Sequence, residues 1–168
     1  MMAIPTLSRE ASFVQNAALG SVLLWRFCAS YTEYHPSNES PVMQLSFLVL
    51  PILLHKETFE EIKATRAGLH TFVDKFSRSE NSKADILLSI HDRVNQFREL
   101  TLESIRLAVR CRLVTIIKAT SMVVPLSSAT PSGIKPPVQI LVKNAEKLGE
   151  WCAPMKLFEI ENILKVAF

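Results

Sequence analysis

The sequence predicts a mainly α fold: a helical domain with a winged-helix-like C-terminal half and one small β-hairpin. Three observations predict it. Apolar residues recur at helical spacing along most of the 168 residues, and the stretches are separated by capping and proline signals. One pair of β-branched runs, in "LVTIIKATSMVVPL", brackets a polar turn at residues 118–121. The length fits a single domain, residues 1–168, divided into a helical N-terminal half (1–82) and the winged-helix-like half (83–168). A chain of about 150 residues hides roughly 70% of its unfolded surface, enough for a proper core.

The elements follow in order. After a short leader holding Pro5, "SFVQNAALGSVLLWRFCASYTEY" places Phe13, Ala17, Leu24, Phe27 and Tyr31 at helical spacing, widened by Val22, Leu23 and Trp25 into a largely buried helix. "HPSNES" breaks it. Ser40 followed by Pro41 reads as an N-cap and first-turn proline for the next helix, "LSFLVLPILL", which Pro51 must kink or stop. Thr58 and Glu61 have the spacing of a capping box for a short helix after it. Leu69, Phe72, Val73 and Phe76 mark a further helix ended by the polar "SRSENS".

From Lys83, Ile86, Ile90, Val94 and Phe97 line one face, while Asp92, Arg93, Asn95, Gln96 and Arg98 are expected in solvent. A one- or two-residue turn with Thr101 as cap restarts a helix in "ELTLESIRLAVRCR", which leads into the hairpin. Helix, tight turn, helix and hairpin together outline a winged helix. Residues 125–137 hold four of the nine prolines and read as a surface loop. A last long helix turns Ile140, Leu141, Ala145, Leu148 and Trp151 inward and ends at Pro154, and "LFEIENILKVAF" is a short helix with an extended tail.

Composition narrows the function classes. Apolar residues make up 48% and charged residues 21%, and the mean hydropathy of +0.20 leaves apolar surface for a partner to cover. Neither apolar stretch reads as a membrane span. Leu45 to Leu54 is about half of the ~20 residues needed, and Ala17 to Ala29 is interrupted by Arg26. Cys28, Cys111 and Cys152 form no CxxC pair, and no charged-then-apolar leader is evident, so buried thiols in a reducing, cytoplasmic setting are expected.

Charge is unevenly placed. Residues 102–118 hold Arg106, Arg110, Arg112 and Lys118 against Glu103 alone, and the other 151 residues balance at 15 basic and 15 acidic. The whole formal excess of +3 therefore sits on the second helix and wing. In a winged helix that helix enters a major groove, so these four residues are candidate contacts to DNA or to a partner. The alternative is a solvated helix face or salt bridges to Glu99 and Glu103. His55 and Lys56, at the exit of the leucine-rich run, are candidate partner contacts or, alternatively, a solvated turn with a locally bonded histidine. Trp25 and Trp151 read as core anchors.

No catalytic motif stands out. His35, His55, His70 and His91 lack metal-ligand spacing, and there is no HExxH, phosphate-binding loop or nucleophile elbow. His91 and Asp92 are adjacent, which puts their side chains about 100° apart on a helix, unsuited to one metal ion without further ligands. No catalytic residue, metal or cofactor is assigned.

Four segments carry a family resemblance: "QNAALGSVLLWRFCASY", "LSFLVLPILLHKET", "SIHDRVNQFRELTLESIRLAVRCRLV" and "AEKLGEWCAPMKLFEIENILKV". In this order, from about Asn16 to Phe168, the chain resembles the middle component of three-component ABC systems, the family of the small accessory subunit of Lamassu-type antiphage operons. The resemblance implies a non-enzymatic subunit with no cofactor and no membrane attachment. Its implied partners are an SMC- or Rad50-like ATPase and an effector nuclease, with DNA in the complex, and its role is to join the two and hold the effector inactive until foreign DNA is sensed. The other reading of the residues is a stand-alone winged-helix DNA-binding regulator.

Overall fold

A computed structural model describes residues 16–78 and 83–168. Among these are eight helices and one two-stranded antiparallel sheet: α1 (Ala17–Tyr34), α2 (Met43–Leu53), α3 (Lys56–Ala64), α4 (Leu69–Ser77), α5 (Lys83–Gln96), α6 (Arg98–Arg110), β1 (Val114–Ile117), β2 (Met122–Pro125), α7 (Pro136–Cys152) and α8 (Leu157–Leu164). The mainly helical class and the single hairpin are as the sequence predicts. Phe13, the leader and most of the "SRSENS" loop lie outside the described residues.

Helix α1 is the axis of the fold. Asn16 caps it, its side-chain oxygen accepting from the amides of Ala18 at 2.9 Å and Leu19 at 3.3 Å. Its apolar residues do not form a narrow stripe: Leu19, Leu23, Leu24, Trp25, Phe27, Cys28 and Tyr31 are all buried, because α6, α7, α2 and β2 pack around it. Two glycines set the closest approaches. A Cβ on Gly149 of α7 would stand 2.5 Å from the Phe27 carbonyl oxygen and 3.0 Å from the Tyr31 amide nitrogen. A Cβ on Gly20 would overlap the hydroxyl of Ser104 in α6. Hydrogen added as a side chain is thus what lets two helices seat against the backbone of a third. Ser30 reinforces the α7 contact by donating to the Glu146 carbonyl at 2.7 Å.

Several boundaries differ from the sequence expectation, each for a tertiary reason. Helix α2 begins at Met43, not at a Ser40-Pro41 cap, because residues 41–43 are taken up as an extra edge of the hairpin. The Val123 amide donates to the Pro41 carbonyl at 2.9 Å and the Met43 amide to that of Ser121 at 2.8 Å. Thr58 is not an N-cap. It lies inside α3 and its hydroxyl donates backward to the carbonyls of Ile52 and His55. Thr101 is likewise interior to α6, fully buried, with Phe97 at the cap position. Pro51 lies inside the last turn of its helix, which runs on to Leu53.

Arg93 corrects the solvent-face reading most directly. It is buried, and it spans from α5 to the end of α2, donating to the carbonyls of Pro51 at 3.1 Å, Ile86 at 3.2 Å and Ser89 at 3.4 Å, and to the Thr58 hydroxyl at 3.5 Å. The last carbonyls of any helix lack intrahelical donors and carry partial negative charge, so a guanidinium there satisfies both. Burial draws its pKa down to about 10, and nearby Glu57 opposes the shift; it remains a cation at neutral pH. Lys147 of α7 does the same for α3, its ammonium donating to the carbonyls of Ile62 and Thr65, both at 2.9 Å.

The loop between β2 and α7 is exposed, as predicted, yet pinned. The Trp25 indole donates to the Ser127 carbonyl at 2.7 Å, and Arg26 reaches the carbonyls of Ser128 and Ala129 while pairing with Glu146 at 2.7 Å. The expected core role of Trp25 and Trp151 holds, as both are buried. Ile140 is not inward; it is 40% exposed, and Val142 takes the buried place. Cys28 and Cys152 are buried, their thiols pushed up by burial, to about 12 for Cys152, but Cys111 is exposed at the end of α6.

Candidate partner and nucleic-acid surfaces

The basic cluster is built by the way α6 ends. Thr101, Ser104, Ile105 and Ala108 turn into the core against α1, which leaves Glu99, Glu103, Arg106 and Arg110 exposed along the opposite side. Successive members are one turn apart, so they form a single stripe, acidic at the N-terminal half and basic at the C-terminal half. This polarity complements the helix dipole. The helix closes with the Leu113 amide donating to Ala108 at 2.9 Å and the Arg112 amide to Val109 at 3.1 Å, a Schellman arrangement. The residue it forces into the left-handed region is Arg112, at φ 57°, where glycine is the unstrained choice.

Arg106, Arg110, Arg112 and Lys118 are all exposed, and among the described residues none takes part in a salt bridge. The proposed pairing to Glu99 and Glu103 is therefore not formed. Lys118 stands on the turn beyond β1, about 13 Å of strand rise from Val114. Val109 and Ile117, 37% and 45% exposed, lie between the cations in sequence.

His55 and Lys56 sit where α2 turns into α3. His55 is the N-cap residue of α3, but its side chain makes no cap bond, and its Nδ1 is buried without a partner among the described residues. Burial lowers its pKa, Arg93 lowers it further, and Glu57 opposes both. Lys56 is exposed. The two residues are far from the α6 cluster in role: one is tied to the Arg93 junction, the other faces solvent.

A second exposed surface was not signalled by any motif. Phe158 is 71% exposed, Leu88 59% and Phe168 44%. Phe158 and Phe168 flank a shallow groove shared with His91, Glu161 and Val166, where the Ala167 amide donates to His91 Nδ1 at 3.4 Å. His91 is thus engaged by the C-terminal tail, and Asp92 is exposed. Helix α8 packs on α4 and α5, whereas the hairpin packs on α1 and α6, so the apolar and basic surfaces rest on different elements. Among the described residues no group of three His, Cys, Asp or Glu side chains could hold a metal ion, and no helix is long and apolar enough to cross a membrane.

The family model of the ABC-three component (ABC-3C) system Middle Component 3 matches residues 5–168. The chain belongs to that family. As a Middle Component 3 protein it is an accessory member of a three-component defence system and has partners in that system. Comparisons with curated proteins and with solved structures gave no match. Two of the segments that carried the resemblance contain Gly20 and Gly149, and in the Middle Component 3 fold described here these are the contacts of α1 with α6 and α7. A third contains Pro51 and the fourth Arg93, the two ends of one buried hydrogen bond.

Proposed function

We propose that this Middle Component 3 protein is a non-enzymatic, cytoplasmic subunit that joins an SMC- or Rad50-like ATPase to an effector nuclease and helps hold the effector inactive until foreign DNA is sensed, as in Lamassu-type systems. The observation that carries the reading is the pair of exposed surfaces on different elements: the apolar groove edge of Phe158 and Phe168, and the basic end of α6 with its hairpin. A connecting subunit needs two faces, and an accessory subunit of a multi-protein system fits an apolar patch left exposed in the single chain. Residues 1–168 act as one domain in this reading, with both halves contributing to the same hydrophobic cluster.

Co-expression with the two neighbouring components tests it. A stable three-protein complex is expected on size exclusion, and Phe158→Asp with Phe168→Asp should release one partner while retaining the other. A chain that purifies as a dimer and ignores the ATPase would overturn the reading.

That outcome would favour the stand-alone winged-helix regulator, which has one observation of its own. Val42 makes an isolated antiparallel bridge to Met122 of β2, an edge contact compatible with a winged-helix arrangement.

A further inference from the structure

We propose that the C-terminal end of α6 and the β1–β2 turn bind duplex DNA through its phosphate backbone, with no reading of base sequence. This goes beyond the joining role and does not depend on it.

Four cations, Arg106, Arg110, Arg112 and Lys118, are exposed there, and among the described residues no carboxylate pairs with them. The rest of the chain is formally balanced, so the net positive charge of the molecule is carried by this segment. Other exposed cations, such as Lys56, Lys63 and Lys143, stand apart along the chain, whereas residues 102–118 gather four cations against Glu103 alone. An unneutralised cluster is what phosphate contact requires, because binding is driven by the counterions that the cations displace.

The acidic half of the stripe decides how DNA lies. A helix that reads a major groove presents its N-terminal residues to the base edges. In α6 Arg98 stands over the Phe47 ring, and the next exposed residues, Glu99 and Glu103, repel phosphate on entry and can accept only from base amino groups. The duplex is therefore held across the C-terminal end of α6, where Arg106 and Arg110 stand about 6 Å apart along the axis. Arg112 extends the cluster past the helix end from its left-handed backbone position, and Lys118 extends it along the hairpin. Such contacts position without specifying sequence.

The geometry at Arg112 supplies a test that separates binding from folding. Glycine relieves the φ of 57° while deleting the cation, so Arg112→Gly should raise the melting temperature and weaken DNA binding together. With two unrelated 20-base-pair duplexes followed by fluorescence anisotropy between 50 and 200 mM salt, the full-length protein should bind both within about twofold and show a log–log salt slope of about −3 to −4. Arg112→Gly should reduce that slope by about 1, and Arg106→Gln with Arg110→Gln should lower affinity more than tenfold at the lowest salt. Lys143→Gln, an exposed cation on α7, should leave binding unchanged. A slope near zero, an unchanged affinity in the double variant, or an equal loss in Lys143→Gln would overturn the proposal. So would a strong preference between the duplexes, or a double variant that binds DNA normally but no longer assembles with its partner subunits, which would assign the cluster to an acidic protein surface.

Discussion

The guanidinium of Arg93 donates to the carbonyl oxygen of Pro51 at 3.1 Å, across 42 residues of sequence. Removing it orphans the end of α2 inside the protein, where an unsatisfied polar group costs about 1–3 kcal/mol. Arg93→Met should therefore lower the unfolding free energy by about 1–3 kcal/mol in urea titrations. Arg93→Lys keeps the charge but not the fork, and should fall between the two.

The two helix contacts of α1 should respond differently to an added methyl group. Gly149→Ala meets backbone and should cost about 1–3 kcal/mol whatever surrounds it. Gly20→Ala meets the Ser104 side chain, so its cost should shrink in a Ser104→Ala background. Ser104→Ala alone removes a buried hydroxyl that has no hydrogen-bond partner among the described residues and should be neutral or stabilising in thermal melts.

His55 gives the fold an acid sensitivity. Burial and Arg93 lower its folded pKa below the ordinary 6.5, so the unfolded chain binds the proton more readily. Stability from this group is complete above about pH 6.5 and is lost as the pH falls below it. Wild type should lose more stability than His55→Gln between pH 7 and pH 5 by chemical denaturation.

Arg26 holds the loop after β2 through the Ser128 and Ala129 carbonyls. Arg26→Met should expose residues 126–135 to proteinase K at low enzyme ratios while the helical circular dichroism is retained. Cleavage unchanged from wild type would show that Trp25 alone suffices.

Helix periodicity made most of the fold legible. Residues 86, 90 and 94 place α5 correctly, although Phe97 falls at the cap of α6, and the β-branched runs place the hairpin. The basic cluster was legible as a charge imbalance, but whether it was paired depended on three-dimensional neighbours. Arg93 was misread because a charged residue on a helix ordinarily faces water, although its spacing of three from Ile90 and seven from Ile86 puts it on the apolar side. Thr58 was misread because the same hydroxyl that caps a helix can donate backward to the previous one. Phe158 carried no signal, since an apolar residue in a short amphipathic helix is ordinarily buried.

The central place of α1 has a consequence for synthesis. This helix leaves the ribosome before its partners, and the Ser30 contact to Glu146 waits on 116 further residues. At about 5–20 residues per second that is roughly 6–23 s during which this largely buried helix lacks its most extensive partner, α7. A nascent chain stalled before α7 would leave that side of α1 uncovered, so the efficiency of translation through the second half, or a chaperone that covers the first, sets how much native protein accumulates.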